Sequence, residues 1–165
     1  MDAKLEQVHN FLLTCPVPLW QTPLETIETV ESDLTDPMTA DVLIPIGTNI
    51  VRRISNVIGE ETLRKRTNYS IEITRQVNLN EFRVQMVTNL DYFQNWINKM
   101  NSLRKKTLDI SDPDYDSWTK IPRFSHTNYE IMSATGGFRA AQIEESTRQV
   151  SVFVVSIHFD YDEIP

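Results

Sequence analysis

Residues 148–161, RQVSVFVVSIHFDY, alternate along most of their length. Phe153, Val155, Ile157, Phe159 and Tyr161 fall on one side of an extended chain, while Val150, Val152 and Val154 begin the other. Successive side chains of a strand point to opposite faces, and apolar residues on both predict a central strand at least partly covered on each side. The rest of the chain is read by asking what could cover it.

Working back from this strand, Glu144-Glu145-Ser146-Thr147 predicts a turn, and a strand over about 124–133 leads into Gly136-Gly137, a second turn signal. Residues 102–122 read as a long irregular loop with Lys105, Lys106 and four aspartates. Before it, Phe82, Met86, Leu90, Phe93, Ile97 and Met100 recur every three or four residues and predict a helix over 79–101, with Asn78 and Glu81 as a variant capping box. Tyr69, Ile71 and Ile73 alternate with Ser70, Glu72 and Thr74, giving a half-buried strand within 63–76. Ile50, Ile54 and Ile58 mark its hairpin partner, which Gly59 ends. Residues 35–48, rich in Thr, Asp, Pro and Gly, read as a second loop in which Pro45 interrupts a short apolar piece. Over 24–34 the spacing of Leu24, Ile27, Val30 and Leu34 fits a helix, but alternating Thr26, Ile27, Thr29 and Val30 favour a strand, and a strand is expected. Leu5, Val8, Phe11, Leu12 and Cys15 predict a first helix over 2–14, capped by Asp2 and stopped by Pro16. The expected class is α+β: a mostly antiparallel or mixed sheet packed by two helices.

The 165 residues fit one domain, and three Trp, five Tyr and seven Phe within a 40% hydrophobic composition are enough for its core. No apolar run approaches the ~18 residues of a membrane span, and the first residues, MDAKLEQVHNFLL, do not read as a signal peptide. A single cysteine excludes an internal disulfide, and the simplest compartment is the cytoplasm. A net charge of −7 argues against extensive nucleic-acid wrapping, which needs many Lys or Arg contacts to phosphate. The charge is uneven. Residues 20–42 carry Glu25, Glu28, Glu31, Asp33, Asp36 and Asp41 with no Lys or Arg, while 50–75 carry Arg52, Arg53, Arg64, Lys65, Arg66 and Arg75 against three glutamates. Glu25, Glu28, Glu31, Arg52, Arg53, Arg64, Lys65 and Arg66 are therefore candidates for complementary subunit faces, the alternative being two solvated surfaces.

Catalytic chemistry finds little support. His9, His126 and His158 lack zinc-ligand spacing. Asp112-Pro-Asp114-Tyr-Asp116 begins like a calcium loop, but Ser117 and Arg123 stand where glycine and a carboxylate are needed. Gly136-Gly137 belongs to no phosphate-binding or dinucleotide motif, and Cys15 on an apolar stripe reads as a small core residue. No catalytic, cofactor-binding or metal-binding residues are assigned, and no cofactor is expected.

The order of the pieces is more specific than any motif. LEQVHNFLLTCPVP, then NYSIEITRQVNLNEFRVQMVTNLDYFQNWINKMN, then IPRFSHTNYEIMSATGGFRAAQIEESTRQVSVFVVSIHFDYDE together resemble the tail terminator and minor capsid proteins of tailed phages and prophages of Gram-positive hosts, over about 1–16 and 67–163. The resemblance implies a virion protein without enzymatic activity. It would assemble in the host cytoplasm as a ring, a hexamer, at the tail–head junction. Its partners would be further copies of itself, the tail tube protein and the head–tail connector, with genomic DNA only passing through the lumen and no membrane contact. The alternatives are a head-completion or connector subunit, and a non-phage α+β ligand-binding or regulatory module.

Overall fold

The computed structural model describes residues 2–20, 24–26, 40–75, 79–125, 129–139 and 151–165. In chain order the elements are α1 (Ala3–Leu12), β1 (Glu25–Thr26), β2 (Ala40–Ser55), β3 (Glu61–Arg75), α2 (Leu79–Leu103), α3 (Tyr115–Thr119), β4 (Glu130–Arg139) and β5 (Ser151–Glu163). The strands form one mixed sheet in the order β1-β2-β3-β5-β4. The fold is α+β, as the sequence predicts, and β5 lies inside the sheet between β3 and β4.

Each helix follows from its stripe. In α1 the Asp2 carboxylate accepts from the backbone N–H of Lys4 at 3.2 Å, and Leu5, Val8, Phe11 and Leu12 are buried. Met86, Leu90, Phe93, Ile97 and Met100 bury the matching face of α2, joined by Trp96, which stacks on Phe11 with ring centroids 4.8 Å apart. Both helices share one hydrophobic cluster with Leu43 of β2, Tyr69, Ile71 and Ile73 of β3, Met132 of β4, and Phe153, Val155, Ile157 and Phe159 of β5. The β3–β5 register sets Tyr69 opposite Ile157, Ile71 opposite Val155 and Ile73 opposite Phe153, so both apolar sets fall on one face. Lys4 ties the end of α1 to this face by donating to the Tyr161 hydroxyl at 2.9 Å.

Several sequence expectations are corrected. Residues 40–48 are strand, not loop, and all but Ile46 pair with β3; a proline fits here at a register shift, and among the described residues only Val42 and Leu43 of β2 are paired on the side away from β3. Residues 35–39 of that expected loop lie outside the described residues. Of the expected 24–34 strand only residues 24–26 are described; of these Glu25–Thr26 are strand, pairing parallel to Val42 and Leu43. The 102–122 loop starts later, because α2 runs to Leu103, and it contains the short helix α3.

Gly136 and Gly137 do not make a turn; both lie within β4, which begins at Glu130 and not near 124. A Cβ on Gly136 would sit 3.0 and 3.2 Å from the Leu90 methyls and 3.1 Å from Val155 Cγ2, so close approach of α2 to the sheet is what requires this glycine. Asn78, His126 and the 144–147 turn lie outside the described residues.

Candidate interaction surface

The sheet face opposite the helices carries an ion-pair ladder. The β3–β5 register sets Arg64 opposite Asp162 and Arg66 opposite Asp160. Arg64 meets Asp162 with Nε–Oδ1 at 2.9 Å and Nη2–Oδ2 at 3.3 Å, and Arg66 meets Asp160 with the same pairs at 2.7 and 2.9 Å. These are bidentate pairs, which match the planar guanidinium to the carboxylate. Hydrogen bonding to Asp162 and Asp160 pushes both guanidinium groups up from an already high range. Arg64 also lies over the Tyr129 ring, 3.5 Å from its centroid. Lys65 pairs with Glu163 at 3.0 Å and Arg53 with Glu61 at 2.9 Å.

The sequence-based interface therefore changes. Arg53, Arg64, Lys65 and Arg66 are engaged within the chain, three of them by carboxylates of β5. Glu25 is exposed on β1, and Glu28 and Glu31 lie outside the described residues. Arg52, opposite Arg64 on β2, is exposed and makes no ion pair among the described residues. The signal passed over is the match between Arg64-Lys65-Arg66 and Asp160-Tyr-Asp162-Glu163, complementary once the strands run antiparallel.

Beyond the level at which Leu63 faces Glu163, β2 and β3 continue, without a further partner among the described strands, as a short hairpin arm over residues 54–62. Its tip is fixed by Asn56, whose Oδ1 accepts from the backbone N–H of Ile58 at 3.1 Å and of Glu60 at 2.9 Å, while its Nδ2 donates to Glu60 Oε2 at 3.0 Å. Gly59 closes the turn at φ +82°, a conformation that favours glycine. The ordered tip holds Val57 and Ile58 in solvent, at 106% and 82% exposure. Two register shifts leave Ile46 and Val51 without opposite residues in β3, and both are exposed. With Ile50, five of the 13 exposed large hydrophobic residues described lie within 46–58, three along β2 and two at the tip of the arm.

The other candidate positions have structural occupations. His9 Nε2 is 2.7 Å from the Leu24 carbonyl oxygen, tying α1 to the start of β1. Cys15 is buried, and burial pushes its thiol up to about 12, away from nucleophilic use. His158 is half-buried on the ladder face, and burial followed by the nearby Arg66 charge lowers its pKa. Asp112 accepts from the backbone N–H of Asp114, and Asp114 pairs with Lys99 at 2.8 Å.

Sequence reading missed Arg104, which is buried and donates from Nη1 to Glu130 at 2.8 Å. Glu130 also accepts from the backbone N–H groups of Phe124 and Ser125, so this pair fastens the segment after α3 to the start of β4. Among the described residues no cluster of His, Cys, Asp and Glu has the makings of a metal site, and no helix is long and apolar enough to cross a membrane. The chain matches no protein-family model and no curated protein.

Proposed function

We propose that this chain is a structural assembly subunit, and specifically a phage tail terminator that builds a ring, a hexamer, between the tail tube and the head–tail connector. The observation that carries the assembly reading is the hairpin arm. A rigid tip that holds Val57 and Ile58 in water brings no folding advantage to the isolated subunit, whereas against another protein surface the same side chains lose their contact with water favourably. The tail-terminator assignment rests on the order of sequence segments described above. On this reading the protein is not an enzyme and needs no cofactor; it resides in the virion, and DNA only passes through the ring. Gel filtration with light scattering, alone and with tail tube protein, tests the proposal. A ring, formed spontaneously or on the tube, is expected. A chain that remains monomeric in both settings overturns the proposal and favours a ligand-binding or regulatory module.

A further inference from the structure

We infer that one edge of the Arg104 guanidinium holds a small monovalent anion, a halide such as chloride, enclosed between the end of α2, the segment after α3 and the start of β4. Arginine carries its N–H donors in a fixed fork and is almost never fully buried unless they are met. Arg104 is only 5% exposed, and its Nη1 donates to Glu130. Nε and Nη2 are buried and have no hydrogen-bond partner among the described residues. These two atoms form the edge with which Arg64 and Arg66 each grip a carboxylate on the sheet. In Arg104 the same edge faces the interior unmatched, and a buried donor left so is costly unless an ion or water meets it.

Charge selects the ion over water. Glu130 stands between two guanidinium groups, 2.8 Å from Arg104 and 4.0 Å from Arg123, so the three groups together are positive. Burial lowers the pKa of Arg104, Glu130 opposing that effect and Arg123 adding to it, and an anion on the unmatched edge would offset both costs. A water molecule there would need acceptors for its own hydrogens. The acceptors around Arg104 are engaged. Glu130 Oε1 accepts from the backbone N–H groups of Phe124 and Ser125, the Arg104 carbonyl from Arg123 Nη2 at 2.9 Å, and the Leu103 carbonyl from Trp118 Nε1 at 3.0 Å. A halide only accepts. Its size follows from the burial: a carboxylate or phosphate carried by another molecule has no approach to either donor, whereas a single ion is enclosed as the segment after α3 closes over the end of α2.

Crystals grown in sodium bromide and measured at the bromine absorption edge test the site directly. An anomalous peak in contact with Arg104 Nε and Nη2 is expected; a water molecule there, or no density, overturns the proposal. Urea unfolding of the full chain, with gluconate replacing chloride at constant ionic strength, then separates a resident ion from a casual one. The wild-type midpoint is expected to rise with chloride, as for any ligand that binds only the folded state. Arg104→Lys keeps a cation for Glu130 but lacks the planar edge, and its midpoint is expected to be independent of chloride, with circular dichroism confirming the fold. A bromide peak without chloride dependence in the wild type marks an adventitious ion only and overturns the proposal. Equal dependence in wild type and variant assigns the effect to the general surface and overturns it too. If Arg104→Lys does not fold, the bromide peak and the wild-type chloride dependence together decide. Ring formation is untouched by any of these results, so the assembly reading stands or falls separately.

Discussion

The outer edge of β4 and the outer edge of β2 carry the same kind of unpaired backbone groups and are protected in opposite ways. At β4, α2 reaches over the edge: Asn101 accepts from the backbone N–H of Met132 at 3.2 Å, and Gln94 donates to the Ala134 carbonyl at 3.2 Å. At β2, among the described residues, β1 pairs only with Val42 and Leu43, and further along the strand come Pro45, the shifts at Ile46 and Val51, and Arg52 and Arg53. Both devices discourage accidental pairing with another sheet. The first occupies the edge with helix side chains. The second makes the backbone a poor partner while leaving the side chains of Pro45 to Arg53 exposed.

The largest expected effect separates the covered part of the sheet from the arm. Phe153→Ala, at a fully buried site, should cost about 3–5 kcal/mol in urea unfolding. Ile58→Ala at the exposed tip should stay within about 0.5 kcal/mol. Similar losses for both would break the division into core and arm. Next comes the glycine pair of β4. Gly136→Ala should lose about 1–3 kcal/mol by forcing Leu90 and Val155 apart, whereas Gly137→Ala, with nothing within 4 Å of its added methyl, should be close to neutral by the same measurement.

The β4 edge itself is tested by Asn101→Ala, which removes the acceptor for the Met132 amide. A loss of about 1 kcal/mol is expected, with faster hydrogen exchange at that amide. Unchanged exchange there would mean that Asn101 does not protect the edge.

The smallest effect is a pH slope on the ladder face. The pKa of His158 is lowered in the folded chain, so below the unfolded value of about 6.5 the unfolded state binds more protons. Its contribution is fully present above that value and declines as pH falls through it toward the folded pKa. His158→Gln should flatten this part of the pH–stability curve, and an unchanged slope would assign it to other groups.

How much could be read beforehand follows from which contacts are local. The apolar stripe of α2, the alternation in β5 and the Asp2 cap depend on near neighbours along the chain, and the structure shows all three. Gly136 was misread because two adjacent glycines suggest a turn, while the reason for the first is a leucine 46 residues earlier on another element. Residues 40–48 were misread because proline and glycine suggest a loop unless β3 is already in place as partner. The charge map left these intrachain pairings unread for the same reason. Arg64 and Arg66 look like a free basic patch until strands 98 and 94 residues away bring Asp162 and Asp160 to them. The hairpin ended by Gly59 was legible, but not that its tip outruns the described neighbouring strand, because that depends on where β5 stops beside β3.

The separation of β3 and β5 also bears on how the chain is made. The β2–β3 hairpin closes through a short turn and needs only neighbouring residues, whereas β3 acquires its other neighbour only when a strand more than 75 residues further on leaves the ribosome. Non-local pairing of this kind is slow, and waiting strands are prone to aggregate. Throughout that interval the nascent hairpin exposes the β3 edge that β5 will later cover. The proline and the two bulges already interrupt its other side, leaving one edge of the growing chain open to a stray strand instead of two.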